Sequence, residues 1–330
     1  MVCAENYGSG SAPHADGPGQ RRSYGLLMQK RLTPMAVIET RALSKRYGSH
    51  RGIEDISLQV ERAEVFGFLG PNGAGKTTMI RTLLDLLHPT GGQALIFGLD
   101  AHRDSLEIRS RLGNLPGSYA TDAHLTGRQI LNLLAGVRGL EDLGRAEELA
   151  QRFRADLDRP LAHLSRGNRQ KIGLIQALFH RPELLLLDEP TTGLDPLMQE
   201  EFMRLVAEER ERGVTVFVSS HELNEVERIC SRVAIIGDGR LIAVEAVADL
   251  LGRASRNVTL QFDGPAATDE LSKLDGVHDL EERDGRVAFK LTGDVNPMLT
   301  VAARHRLRDF QVTRPSLEEV FLTYYSQDAA

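Results

Sequence analysis

Two cysteines in 330 residues, Cys3 and Cys230, are too few and too far apart for a disulfide framework. Reduced thiols in a cytosolic protein are the expectation. Long apolar runs are missing too. Crossing a bilayer takes about 18–20 apolar residues, whereas runs such as Leu184–Leu187 and Val214–Val218 stop at strand length. The chain is therefore expected to form no membrane path of its own. Excess positive charge is absent: the formal net charge is −6, which leaves no global basic field for nucleic acid or anionic lipid. Sustained heptads, and with them a long coiled-coil insert, are absent as well. What remains is 26% charged and 41% hydrophobic residues, a globular composition long enough for one large domain and a small one.

Residues 1–34 are rich in Gly, Ser, Pro and Ala, carry Arg21, Arg22, Lys30 and Arg31, and have no apolar period, which predicts a disordered tail. The tail lacks the apolar core of a signal peptide, and Met35 beyond it reads as an alternative start. From Val37 the pattern is regular. Ile38–Leu43, Ile53–Val60 and Glu64–Leu69 read as strands. Met79, Ile80, Leu83, Leu84 and Leu87 predict a helix over Lys76–Leu87, broken by His88-Pro89-Thr90-Gly91-Gly92. A helical region spans about 115–180, with Thr126 capping a helix through Leu134 and another over Leu143–Phe153. Strands Leu184–Leu187 and Val214–Val218 flank a helix around Met198–Glu211. Continuous apolar strands alternating with helices predict an α/β fold with a mostly parallel sheet buried on both faces.

The pattern changes after residue 250. Strands at Val258–Phe262, Val277–Leu280, Val287–Leu291 and Phe310–Val312, with helices near 268–274 and 297–305, run strand–helix–strand–strand–helix–strand. This is the ferredoxin-like split, and it predicts a domain over 35–250 followed by an accessory α+β domain over 251–330.

Gly70-Pro71-Asn72-Gly73-Ala74-Gly75-Lys76-Thr77-Thr78 contains the phosphate-loop pattern between a strand and a helix. Glycines let backbone N–H groups face phosphate oxygens, and the helix start presents its positive dipole end. Lys76 is expected to reach the β- and γ-phosphates and the Thr77 hydroxyl to ligate Mg²⁺. Strand Leu184–Leu187 ends in Asp188-Glu189 at the sheet edge where ligands bind in α/β folds. Asp188 suits Mg²⁺ and Glu189 suits polarising an attacking water. Leu164-Ser165-Arg166-Gly167-Asn168-Arg169-Gln170-Lys171 offers a second anion site, a Ser hydroxyl and Gly amides at a helix start. Alone, it would be an ordinary Ser-capped helix.

The order decides between these readings. Phosphate loop, Ser165 segment, Asp188-Glu189, Thr192-Gly193-Leu194-Asp195 and His221 together resemble the ABC ATPase family over about residues 37–250. The resemblance implies a phosphate-loop NTPase core with an antiparallel β subdomain and a helical subdomain. It implies that ATP and Mg²⁺ are bound, and that two copies form a homodimer in which Ser165, Arg166, Gly167 and Asn168 of one chain face the ATP of the other. It implies catalytic roles for Lys76, Glu189 and His221, adenine stacking for Tyr47, and communication between sites for Asp195. The C-terminal segment Pro315-Ser316-Leu317-Glu318-Glu319-Val320-Phe321-Leu322 resembles that of type-two drug and antibiotic exporters, and its apolar face, with Tyr324, is expected to pack in the dimer or on its own domain. An integral membrane permease, absent from this chain, would then be the partner, the location would be the cytoplasmic face of the membrane, and nucleic acid would not be bound. Two departures stand out. Arg166 and Asn168 replace the commoner Gly and Gln. The loop that normally carries Gln or Glu reads Gly113-Asn114-Leu115-Pro116-Gly117-Ser118, which predicts slow basal hydrolysis. Two other readings stay open: a soluble ABC ATPase in translation or repair, and a nucleotide-dependent interaction module.

Overall fold

The structure, a computed structural model, describes residues 36–117 and 123–321; the expected tail, Ser118, Leu322 and Tyr324 lie outside the described residues. β1 (Ile38–Tyr47) and β2 (His50–Val60) form a hairpin, followed by β3 (Val65–Leu69), α1 (Lys76–Leu83), β4 (Gly91–Ile96), β5 (Leu99–Asp100), α2 (Ser105–Ser110) and β6 (Leu112–Leu115). The helical region holds α3 (Gly127–Arg138), α4 (Gly144–Phe153) and α5 (Arg166–Leu178). Then come β7 (Leu184–Asp188), α6 (Pro196–Glu211), β8 (Thr215–Ser220), α7 (Leu223–Ile229), β9 (Arg232–Gly237), β10 (Arg240–Ala246) and α8 (Val247–Arg253). The C-terminal part comprises β11 (Arg256–Phe262), α9 (Thr268–Leu271), β12 (Val277–Arg283), β13 (Arg286–Leu291), α10 (Asn296–Ala302), β14 (Leu307–Thr313) and a helical turn at 317–321.

A six-stranded sheet in the order β10-β9-β3-β8-β7-β6 is parallel except for β10. Its central strands are apolar at nearly every position because each face meets a different core. Val65, Leu69, Leu185, Leu187, Val216 and Val218 join the cluster under α5 and α6. Their neighbours Phe66, Phe68, Leu184, Leu186 and Phe217 join the cluster with α1 and the antiparallel sheet β2-β1-β4-β5. Alternation survives, but between two apolar environments.

Thr126 caps α3 through a full capping box with Gln129, as the sequence predicts. Helix α1 is shorter than its apolar period. Asp85 takes a φ of 56°, a left-handed turn that ends the helix after Leu84 and turns the amides of Leu86 and Leu87 back to the Arg81 carbonyl. Leu86 is left exposed. The presumed loop at 113–118 starts as a strand: residues 112–115 are β6, paired in parallel with β7.

Strands β11 to β14 form an antiparallel sheet in the order β12-β13-β11-β14 with α9 and α10, the ferredoxin-like arrangement, around a core of their own. The last helical turn does not pack on that core. Leu317 and Val320 join the cluster of the large sheet, and the Leu317 amide donates to Glu227 Oε2 at 3.0 Å. No helix among the described residues is long and apolar enough to cross a membrane.

Candidate nucleotide-binding site

Three adjacent strands bring the chemistry together. In register, Leu69 at the end of β3 pairs with Ser220 of β8, and Asp188 at the end of β7 pairs with Ser219. The phosphate loop, the two carboxylates and His221 therefore leave the sheet at one carboxyl edge.

The loop turns tightly. Gly75 has a φ of 110°, and a Cβ there would lie 2.6 Å from the Gly52 carbonyl oxygen, so only glycine fits. Gly75 is also the N-cap of α1 and brings no side chain to cap it, which leaves the first-turn amides facing the loop interior. Ala74 anchors the loop from behind, its carbonyl accepting from Gly239 N at 3.0 Å. Pro71, Asn72 and Gly73 are exposed. The Lys76 ammonium is buried, donating to the carbonyl oxygens of Gly70 at 2.6 Å and Pro71 at 3.2 Å. Burial pulls its pKa below the usual lysine range, while Glu189 and Asp188 act in the opposite direction.

Thr77 Oγ1 donates to Asp188 Oδ2 at 2.7 Å, and Ser219 Oγ donates to Asp188 Oδ1. Asp188 is 3% exposed, and these hydrogen bonds satisfy its oxygens in place of water. The next residue, Glu189, sits at a φ of 51°, uncommon for a residue with a side chain. That turn aims its carboxylate at the opening, 3.3 Å from His221 Nδ1 and 3.9 Å from Lys76 Nζ. Tyr47, half exposed at the end of β1, places its hydroxyl 3.5 Å from Thr78 Oγ1. Gly117 lies against the same carboxylate: a Cβ there would be 2.9 Å from Asp188 Oδ2.

The second group gathers elsewhere. Ser165 caps α5, its hydroxyl accepting from Asn168 N at 3.3 Å, and Ser165 and Arg166 are exposed. A Cβ on Gly167 would strike the Gly193 carbonyl oxygen at 2.3 Å, so Gly167 is what lets the two loops touch. Asp195 caps α6, accepting from Met198 N at 3.1 Å. No hydrogen bond or ion pair among the described residues joins residues 165–168 to residues 70–78. Gln170 joins the two groups, its amide donating to the carbonyls of Glu189 at 3.2 Å and Pro190 at 3.1 Å. The sequence reading assigned no role to Gln170 or Ser219. The signal was weak: Gln170 stands between Arg169 and Lys171 although it starts the buried run of α5, and Ser219 follows the apolar run of β8.

Residues 53–192 match the ABC transporter family, and residues 252–325 match the C-terminal domain of DrrA1-3-like ATP-binding proteins. The chain is 40% identical over 212 residues to the bacitracin transport ATP-binding protein BcrA of Bacillus licheniformis, covering 62% of this chain and 68% of that protein. It is 36% identical over 304 residues to the daunorubicin resistance ATP-binding protein DrrA2 of Streptomyces coeruleorubidus, covering 86% and 94%. Among solved structures, the ATP binding subunit of an ABC transporter aligns at a TM-score of 0.61 with 30% identity, over 65% of this chain and 91% of that one. A dimeric bacterial ABC transporter cassette aligns at 0.60 with 24% identity over 64% and 98%, a likeness of fold. The phosphate loop set against Asp188 and Glu189, and relatives that extend over nearly the whole length, agree: this chain belongs to the ABC transporter family and is an ATP-binding, ATP-hydrolysing subunit of it.

Proposed function

We propose that two copies of this chain close on two ATP molecules and that closure drives an integral membrane permease exporting a drug, antibiotic or lipid. The observation that carries this reading is the division of the site. Lys76, Thr77, Asp188, Glu189 and His221 converge on one sheet edge, while Ser165 and Arg166 are exposed at a helix start that, among the described residues, makes no hydrogen bond to a phosphate loop. A second copy would supply one.

The geometry supports the following residue roles. Amides of Gly73, Ala74, Gly75, Lys76, Thr77 and Thr78 cradle phosphate oxygens, and Lys76 exchanges two neutral carbonyl partners for phosphate, so that donor and acceptor both carry charge. The oxygens of Thr77 and Asp188, already adjacent, are the hard donors that Mg²⁺ takes; bound there, Mg²⁺ would neutralise charge on the β- and γ-phosphates. Glu189 accepts the proton of the attacking water, oriented by His221. Tyr47 stacks on adenine. From the second copy, Ser165 and the amides of Gly167 and Asn168 complete the phosphate shell with Arg166 beside them, and Asp195 carries the state of one site to the other. The division into a tail at 1–34, an ATPase domain at 35–250 and an accessory domain at 251–330 belongs to this reading.

Relatives named for bacitracin transport and daunorubicin resistance support the cargo class. Exposed Leu133 and Val137, one turn apart on α3, with Leu86, offer apolar surface to a membrane partner at the cytoplasmic face. The test is a pull-down. Tagged Glu189→Gln protein with MgATP, recovered from native membranes in mild detergent, is expected to bring down a multi-spanning protein. Recovery of ribosomes or DNA-bound factors would overturn the export reading.

A further inference from the structure

A cluster of two histidines and an aspartate lies at the opposite end of α1 from the phosphate loop. Asp85 and His88 sit three residues apart where the chain leaves α1, and His102 comes from the connection between β5 and α2. Both imidazoles converge on one oxygen: His102 Nδ1 lies 2.8 Å and His88 Nδ1 3.1 Å from Asp85 Oδ1. One donor atom from each of the three residues falls within 4.8 Å of the others, and the rings stand edge to face with centroids 4.5 Å apart.

Several features make this more than two exposed histidines near an acid. The left-handed φ of 56° at Asp85 fixes the turn that carries its carboxylate, which is only 12% exposed. Its other oxygen, Oδ2, faces Arg109 at 3.8 Å, and Arg109 is itself held by the Leu84 carbonyl at 2.8 Å. Oδ1 is therefore the oxygen left for a ligand, with its partner oriented from behind. Asp100 fixes the loop of His102, accepting from the amides of His102 and Arg103 at 3.0 Å each and from Gln93 Nε2 at 3.1 Å. A pocket of about 280 Å³ opens between the two segments. Nothing in the nucleotide chemistry uses any of these groups.

We infer that Asp85, His88 and His102 form a binding site for a first-row divalent transition metal, Zn²⁺ being the best fit. Two imidazoles and one carboxylate suit Zn²⁺ with a water in the fourth position, at metal–ligand distances of about 2.0–2.2 Å. Tetrahedral ligands at that radius stand about 3.4 Å apart, close to the 3.1 and 2.8 Å that separate the His88 and His102 nitrogens from Asp85 Oδ1, and both imidazoles are exposed. The nitrogen donors separate this site from the all-oxygen pair Thr77 and Asp188, which suits Mg²⁺. Bound metal would tie the exit of α1 to the strand–helix connection that carries His102.

The experiment is calorimetric titration of untagged, EDTA-stripped full-length protein with Zn²⁺ alone, in excess Mg²⁺ and without nucleotide. Excess Mg²⁺ occupies oxygen sites and does not compete for imidazoles. One equivalent is expected to bind, and its affinity should fall at least tenfold in His88→Ala, in His102→Ala and in Asp85→Asn. Co²⁺ in place of Zn²⁺ should give visible absorption bands that are lost in the double histidine variant. Circular dichroism reports folding, and Gln replaces Ala at either histidine should a variant unfold. Absence of binding to the wild type, or Zn²⁺ affinity and Co²⁺ bands unchanged in the double variant, would overturn the assignment.

Discussion

The start of α1 and the start of α5 are both built to meet an anion, and the chain finishes them differently. At α1 the cap is Gly75, the adjacent ammonium of Lys76 is buried, and Asp188, Glu189 and His221 stand around it from two neighbouring strands. At α5 the cap is the Ser165 hydroxyl, the flanking Arg166 is exposed, and the nearest functional neighbour is the Gly193 loop. One is a site that a single chain can assemble. The other is a surface awaiting a site. Under the proposed function, complementarity between copies would be stored in one chain as two unlike halves, joined by Gln170.

Glu189→Gln separates the halves most sharply. Hydrolysis by steady-state phosphate release should fall about 10²–10⁴-fold, the usual range for a positioned acid–base group. ATP-dependent dimers should still form, as seen by size-exclusion chromatography with light scattering. Normal turnover would remove Glu189 from its role. Next comes the fastening of the Ser165 half to the core. Arg145 of α4 bonds Glu209 of α6 at 2.7 Å, and both side chains are buried. Glu209→Ala leaves the buried guanidinium with Glu148 alone and should cost about 3 kcal/mol, read as a lower denaturant midpoint. Ser165→Ala should cut hydrolysis about tenfold, the value of one hydrogen bond to a charged group. Nucleotide affinity of the isolated chain should not change. Loss of affinity in the monomer would mean that the halves are not divided between copies.

Gly117 tests the phosphate half more gently. Because residue 117 sets no side chain against Asp188, basal turnover should stay below about 10 s⁻¹, and a faster wild-type rate would show that the missing Gln or Glu does not limit hydrolysis. The smallest effect concerns the far end of α5. Burial holds the His180 pKa down to about 4, against about 6.5 when unfolded. A depressed base keeps its full contribution to stability above pH ~6.5 and loses it as pH falls toward 4. His180→Gln should flatten the fall of the denaturant midpoint over that window.

How much of this could be read beforehand varied with how local the cause was. Thr126 and Ser165 announced their helices because a cap acts within four residues. The βαββαβ order of the accessory domain followed from its alternating pattern. The end of α1 did not, because Leu87 keeps the apolar period while Asp85 breaks the backbone. The extent of β6 was hidden because Gly113 and Asn114 look like a turn, whereas pairing with β7 makes them a strand. The final segment was expected in the dimer or on its own domain, and its Leu317 and Val320 instead complete the large core.

The sequence by itself determined the family, the parallel sheet, and the position of the phosphate-loop pattern and of the carboxylate pair, because strand–loop–helix signals and glycine requirements are short-range. Only the tertiary structure decided which residues share a site. Strand register sets Asp188 beside Thr77 across 111 positions, and a glycine at 167 lets its loop touch residue 193. It also brought His102 onto Asp85. Such contacts arise from packing of distant segments, which no local pattern encodes.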